Sequence, residues 1–112
     1  MGQIEDVEVV EEWVYRDLSS GNFGSAEQER ALDGIDDLET DLVTWERPVH
    51  NVLDQIEYGG ETTVYRRRAG DLRLYFIRKG ETMYCIGVGK RPTTYDRDIE
   101  QISNRADNHP PD

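Results

Sequence analysis

Cysteine is almost absent from this chain. Cys85 is the only one in 112 residues, which excludes an internal disulfide and any metal cage built from cysteines. Histidine is nearly as scarce: His50 and His109 lie far apart, one near a proline and one in the C-terminal tail, so no zinc-binding spacing arises. There is no P-loop and no nucleophile elbow. Long apolar runs are missing too. Leu74-Tyr75-Phe76-Ile77 is among the densest stretches, far short of the ~18 apolar residues of a membrane span. The opening residues, MGQIEDVEVVEE, have neither a basic n-region nor an apolar h-region. The expectation is a cytoplasmic protein with no secretory signal, no membrane contact, no metal and no cofactor.

Lysine is the other rarity. Lys79 and Lys90 stand against eleven arginines and 24 acidic residues, for a formal charge of −11. Abundant carboxylate with little lysine is the composition of proteins from salt-accumulating organisms, with a halophilic archaeon as the expected source. Carboxylates hold water at high ionic strength, and salt screens their mutual repulsion. The alternative is an ordinary acidic cytoplasmic protein. The charge is unevenly spread: residues 1–61 carry −14, whereas residues 62–112 carry +3. Net acidity argues against a nucleic-acid partner, because phosphate binding needs concentrated positive charge. The locally basic second half reopens that possibility.

The length fits one domain, residues 1–112. Residues 1–47 read as mainly helical. Ile4, Val7, Val10, Val14 and Leu18 fit a helical stripe, yet Val7-Glu8-Val9 alternates like a strand. We favour a short strand at about 4–9 running into a helix at about 10–19. Ser25-Ala-Glu-Gln28 has the form of a capping box opening a helix at about 26–45, with Leu32, Ile35, Leu38, Leu42 and Trp45 on its apolar face. Gly34 weakens that helix by ~1 kcal/mol. Residues 60–89 change period: TTVYRRR, DLRLYFIR and TMYCIGVG are strand-like and bounded by glycines. Short connections make them an antiparallel meander. Leu72, Leu74 and Phe76 should face a core beneath the helices, and Arg73, Tyr75 and Ile77 the other side. Residues 93–106 read as a short helix and 107–112 as a frayed tail. The fold class is α+β, helices packed on a β-meander.

Arginine placement carries the functional signal. Arg66, Arg67 and Arg68 precede the Ala-Gly-Asp turn, Arg73 follows it, and Lys90 and Arg91 leave the last strand near Tyr95. A face combining Arg66, Arg68, Arg73 and Arg91 can hold a phosphate through bidentate hydrogen bonds. The competing reading is that these arginines pair with the many carboxylates. Cys85, within an apolar strand, reads as a core residue rather than a nucleophile.

Tyr65-Arg66-x-Arg68-Ala-Gly-Asp-Leu-Arg73-Leu-Tyr75, then Cys-Ile-Gly-Val-Gly-Lys90-Arg91, then Tyr95, resemble the RelE/ParE toxin superfamily. The resemblance covers about 48–97 and is looser before that. It implies a small toxin, as a monomer or in a hetero-oligomer with a cognate antitoxin protein. In the RelE branch it implies metal-independent cleavage of mRNA on the ribosome, the 2′-hydroxyl attacking the adjacent phosphate. It assigns phosphate contact to Arg73 and Arg91, base stacking and help to the 2′-hydroxyl to Tyr95, and RNA binding to Arg66, Arg68 and Lys90. One active-site lysine of that family falls near Val64 here, which favours the alternative of a ParE-like inhibitor or an inactive homologue that acts by binding protein.

Overall fold

The computed structural model describes residues 4–19, 23–56, 63–90, 102 and 104–107. Strand β1 (Asp6–Val9) leads into helix α1 (Glu11–Leu18) and then α2 (Ser25–Glu39), which continues as a π-helical turn over Thr40–Thr44. A one-turn helix α3 (Val49–Val52), a short strand β2 (Asp54–Ile56) and the strands β3 (Val64–Ala69), β4 (Leu72–Lys79) and β5 (Thr82–Lys90) follow. Residues 102 and 104–107 are helical. No helix among the described residues is long and apolar enough to cross a membrane.

The sheet has five strands in the order β1-β5-β4-β3-β2. Its centre is the expected meander, with Gly70 and Gly80 at φ 64° and 61° in the two hairpin turns. Positive φ is easy only for glycine, which is why both turns need it. The meander is extended on both sides. β1 adds in parallel to β5, with Asp6 opposite Thr82 and Val9 opposite Cys85, and β2 adds antiparallel to β3. A bulge shifts the β4–β5 register: Tyr75 faces Gly87 but Phe76 faces Cys85, leaving Ile86 as the extra residue. Cys85 and Val88 can therefore both join the core on the helical side.

Alternation along β4 divides the interior in two. Leu72, Leu74 and Phe76 pack with Val14, Leu18, Ala31, Ile35, Leu38 and Leu42 in a core beneath the helices. Tyr75 and Ile77 pack with Val64, Ile86, Ile102 and Ala106 on the reverse face. Phe76 and Leu74 are fully buried, each contributing ~1.5–3 kcal/mol by removal from water. The reverse face is thus partly covered by the C-terminal helical residues.

Three details of the helical layer differ from the sequence reading. α2 starts one residue earlier, with Gly24 as N-cap, and its backbone N–H donates to Glu27 Oε1 at 3.0 Å. Gln28 is not the capping partner; its Nε2 donates to Leu18 O at 3.0 Å and so ties α2 to the end of α1. Ile35, Leu38 and Leu42 of the expected stripe are buried and Ala31 and Gly34 join them, while Leu32 is 37% and Trp45 66% exposed. Small residues extend the buried face toward β4. A Cβ on Gly34 would lie 2.8 Å from Leu74 Cδ1, so only glycine lets the helix settle this close to β4. The π turn, in which Trp45 N–H donates to Thr40 O, then swings Trp45 outward.

Candidate functional site

The β3–β4 hairpin orders the arginines by strand period. Arg66 lies opposite Tyr75 and Arg68 opposite Arg73, so these four residues share the face away from α2. Tyr75 is buried among the residues of the reverse core, and the three arginines flank it along the hairpin. Arg66 is mostly enclosed, with 17% of its side chain exposed, and its Nη2 approaches Asp54 Oδ2 at 3.4 Å across the β2–β3 pairing. Its Nε–H is buried without an acceptor among the described residues. Arg73 is half-buried, and its Nη1 donates to the Leu72 carbonyl at 3.2 Å. Arg68 is exposed, and no carboxylate among the described residues pairs with it.

Arg67 departs from its neighbours because it points to the helical side. Its guanidinium donates to Asp41 Oδ2 at 3.2 Å and to Val52 O at 3.4 Å, joining β3 to the π turn and α3. The ion-pair expectation therefore holds for Arg66 and Arg67 but not for Arg68. Lys90 ends β5 opposite Leu72. Its side chain, and the whole of Arg91 and Tyr95, lie outside the described residues.

Cys85 has the character expected of a core residue. Burial pushes its thiol up to about 12, and its Sγ–H points to Gly87 O at 3.7 Å. A thiol so rarely ionised is a poor nucleophile. Among the described residues no group of His, Cys, Asp and Glu side chains gathers in a way that could hold a metal.

The residues that fix the far end of β5 escaped the sequence reading. β1 stops at Val9, leaving the next β5 amides without a strand neighbour. Asp17 and Arg105 fill the gap: Asp17 Oδ2 accepts from Val88 N at 2.9 Å, and Arg105 Nη1 donates to Ile86 O at 2.9 Å. Arg105 is 6% exposed, and its guanidinium carbon sits 5.6 Å from the centre of the Trp13 ring. Gly87 makes room, since a Cβ there would collide with Ile102 Cδ1 and lie 2.8 Å from Arg105 Nη1. The available signal was the Ile-Gly-Val-Gly alternation of β5.

No family model and no curated protein matches the chain. Among solved structures it resembles a chain of the archaeal RelE–RelB complex from Pyrococcus horikoshii OT3, with a TM-score of 0.52 and 22% identity. The match covers 80% of this chain and 98% of that one. The fold is RelE-like: helices on one antiparallel-centred sheet, followed by a short C-terminal helix.

Proposed function

We propose that this chain is the toxin of a toxin–antitoxin pair and cleaves mRNA on the ribosome. The register that opposes Arg68 to Arg73 and sets Arg66 beside Tyr75 on one sheet face carries the reading. The likeness to a chain of a RelE–RelB complex supports it. In the proposed reaction the RNA 2′-oxygen attacks the adjacent phosphorus and the bond to the 5′-oxygen breaks. A 2′,3′-cyclic phosphate and a free 5′-hydroxyl result. The 2′-hydroxyl proton must go to a base, and the leaving 5′-oxygen must gain one. Arg73 and Arg91 stabilise the negative charge that builds on the phosphorane, where fixed cations act most strongly. Tyr95 stacks on a base and assists the 2′-hydroxyl, while Arg66, Arg68 and Lys90 hold the backbone. The partner is a cognate antitoxin, and the setting is a halophilic cytoplasm.

A second reading has one observation in its favour. Val64 is fully buried on the reverse face, at the position near which the resemblance puts an active-site lysine. A scaffold lacking that base fits a ParE-like inhibitor or a toxin homologue that acts only by binding protein.

Ribosomes programmed with a defined mRNA separate the two. Cleavage yielding cyclic-phosphate and 5′-hydroxyl ends, slowed ~10²–10³-fold by Arg73→Ala, is the expected result. Intact mRNA alongside growth arrest that persists in both Arg73→Ala and Arg91→Ala would favour the binding protein instead.

A further inference from the structure

We infer that Arg30 of α2 is an RNA-binding residue, gripping a backbone phosphate where the strand leaves Arg68 and Arg73 over the Gly70 turn. The inference rests on the RNA reading above and extends that site onto the helical layer. Among the described residues, Arg16, Arg47, Arg66, Arg67 and Arg105 each have a carboxylate within 4.0 Å. Arg30 and Arg68 have none, although Glu27 and Asp33 sit three residues either side of Arg30 on its own helix. These two arginines, without a carboxylate partner among the described residues, flank the same hairpin tip.

The packing explains how a helix residue gets there. Gly34 brings α2 down onto Leu74 and Ala69, and Arg30 lies one turn earlier on the same side. Its exposed side chain extends to the β3–β4 turn. A Cβ placed on Gly70 would lie 3.4 Å from Arg30 Cδ and 3.5 Å from its Nη1. Gly70 is needed for its positive φ, and the Arg30 side chain lies in ordinary contact range beside it. Arg68 and Arg73 approach from the sheet face, and Arg30 from the helical face. The two faces of the hairpin join at its Gly70–Asp71 tip. A polyanion with regularly repeated charges can follow this path, one phosphate at Arg73 and another at Arg30. Arginine suits it because its planar fork binds phosphate oxygens in pairs.

The test is binding of a fluorescent, uncleavable 2′-O-methyl RNA to the full chain across a salt series in which circular dichroism stays constant. Arg30→Ala is expected to weaken binding severalfold and reduce the slope of log affinity against log salt by about 0.7, the loss of one single-strand phosphate contact. Arg30→Glu should weaken it further, and Arg16→Ala, the same charge change on α1, should leave the slope alone. Affinity and slope unchanged in Arg30→Ala, no RNA binding by the wild type, or polyglutamate bound in its place with the same Arg30 dependence would each overturn the inference. Cleavage that needs Arg73 but ignores Arg30 would sink this inference and spare the nuclease reading. Arg30-dependent binding without any cleavage would do the reverse.

Discussion

Arg105 and Asp17, 88 positions apart, meet arm to arm: Nη1 to Oδ2 at 2.8 Å and Nη2 to Oδ1 at 2.9 Å. The bidentate pair sits with 6% and 13% of its side chains exposed and also serves the backbone of β5. Removing one partner leaves the other charge buried with its hydrogen bonds unmade, at a cost of ~3–5 kcal/mol. Asp17→Ala and Arg105→Ala are each expected to lower the unfolding free energy, read from urea titration, by that amount. The double variant should cost less than the sum of the two. Additive costs would show that the pair does not act as a unit.

Gly34→Ala raises intrinsic helix propensity by ~1 kcal/mol and should nevertheless destabilise the protein. The added methyl would press on Leu74 Cδ1, which is fully buried and has nowhere to retreat. Overpacking of this kind costs ~1–3 kcal/mol, so the net loss is expected to be modest and visible as a lower melting temperature.

Acidic residues crowd the β1 edge. Glu5 has its carboxyl raised above the usual 4.5 by a hydrogen bond to and repulsion from Glu81. Glu8 is raised likewise by its hydrogen bond to and repulsion from Asp6, with Glu39 adding repulsion. A carboxyl that binds protons more readily when folded contributes stability below its unfolded value, and that contribution is lost as pH rises through the folded one. At pH 7 and low salt the Glu5→Gln/Glu8→Gln variant is therefore expected to melt higher than wild type. The gap should close below about pH 4.5, and also at about 1 M salt, where the screening length is only ~3 Å. A gap that ignores salt would argue against repulsion as its source.

Cys85 is expected to resist iodoacetamide at pH 8 in the native protein and to react once urea opens the fold. Its thiol is pushed up to about 12 by burial, so both access and ionisation must change before it reacts. Rapid labelling of the native state would mean that β5 opens far more readily than its packing implies.

The meander and its two faces were readable because glycines mark both turns and strand period alone assigns Leu72, Leu74 and Phe76 to one side and Tyr75 and Ile77 to the other. β2 was not, since Asp54-Gln55-Ile56 is three residues long with two of them polar. The apolar face of α2 was legible at Ile35, Leu38 and Leu42, but hydrophobicity also favoured the exposed Leu32 and Trp45 and passed over Ala31 and Gly34, which are buried where Gly34 lets the helix approach Leu74. For the candidate site, strand period sufficed to group Arg66, Arg68 and Arg73. It could not show that Asp54 neutralises Arg66, nor that Arg105 would bury itself against a residue at the other end of the chain. Partners so far apart leave no local pattern to read.

The parallel pairing of Asp6–Val9 with Thr82–Cys85 makes the first strand depend on the last described one. A nascent chain that has not yet reached Thr82 lacks the template for its own first strand and the central partner of β4. Such long-range contacts are slow to form, because the loop between them must close first. Fragments ending before Thr82 therefore lack the sheet's central pairings, and the arginine-bearing hairpin gains its rigid backing only once β5 has been made.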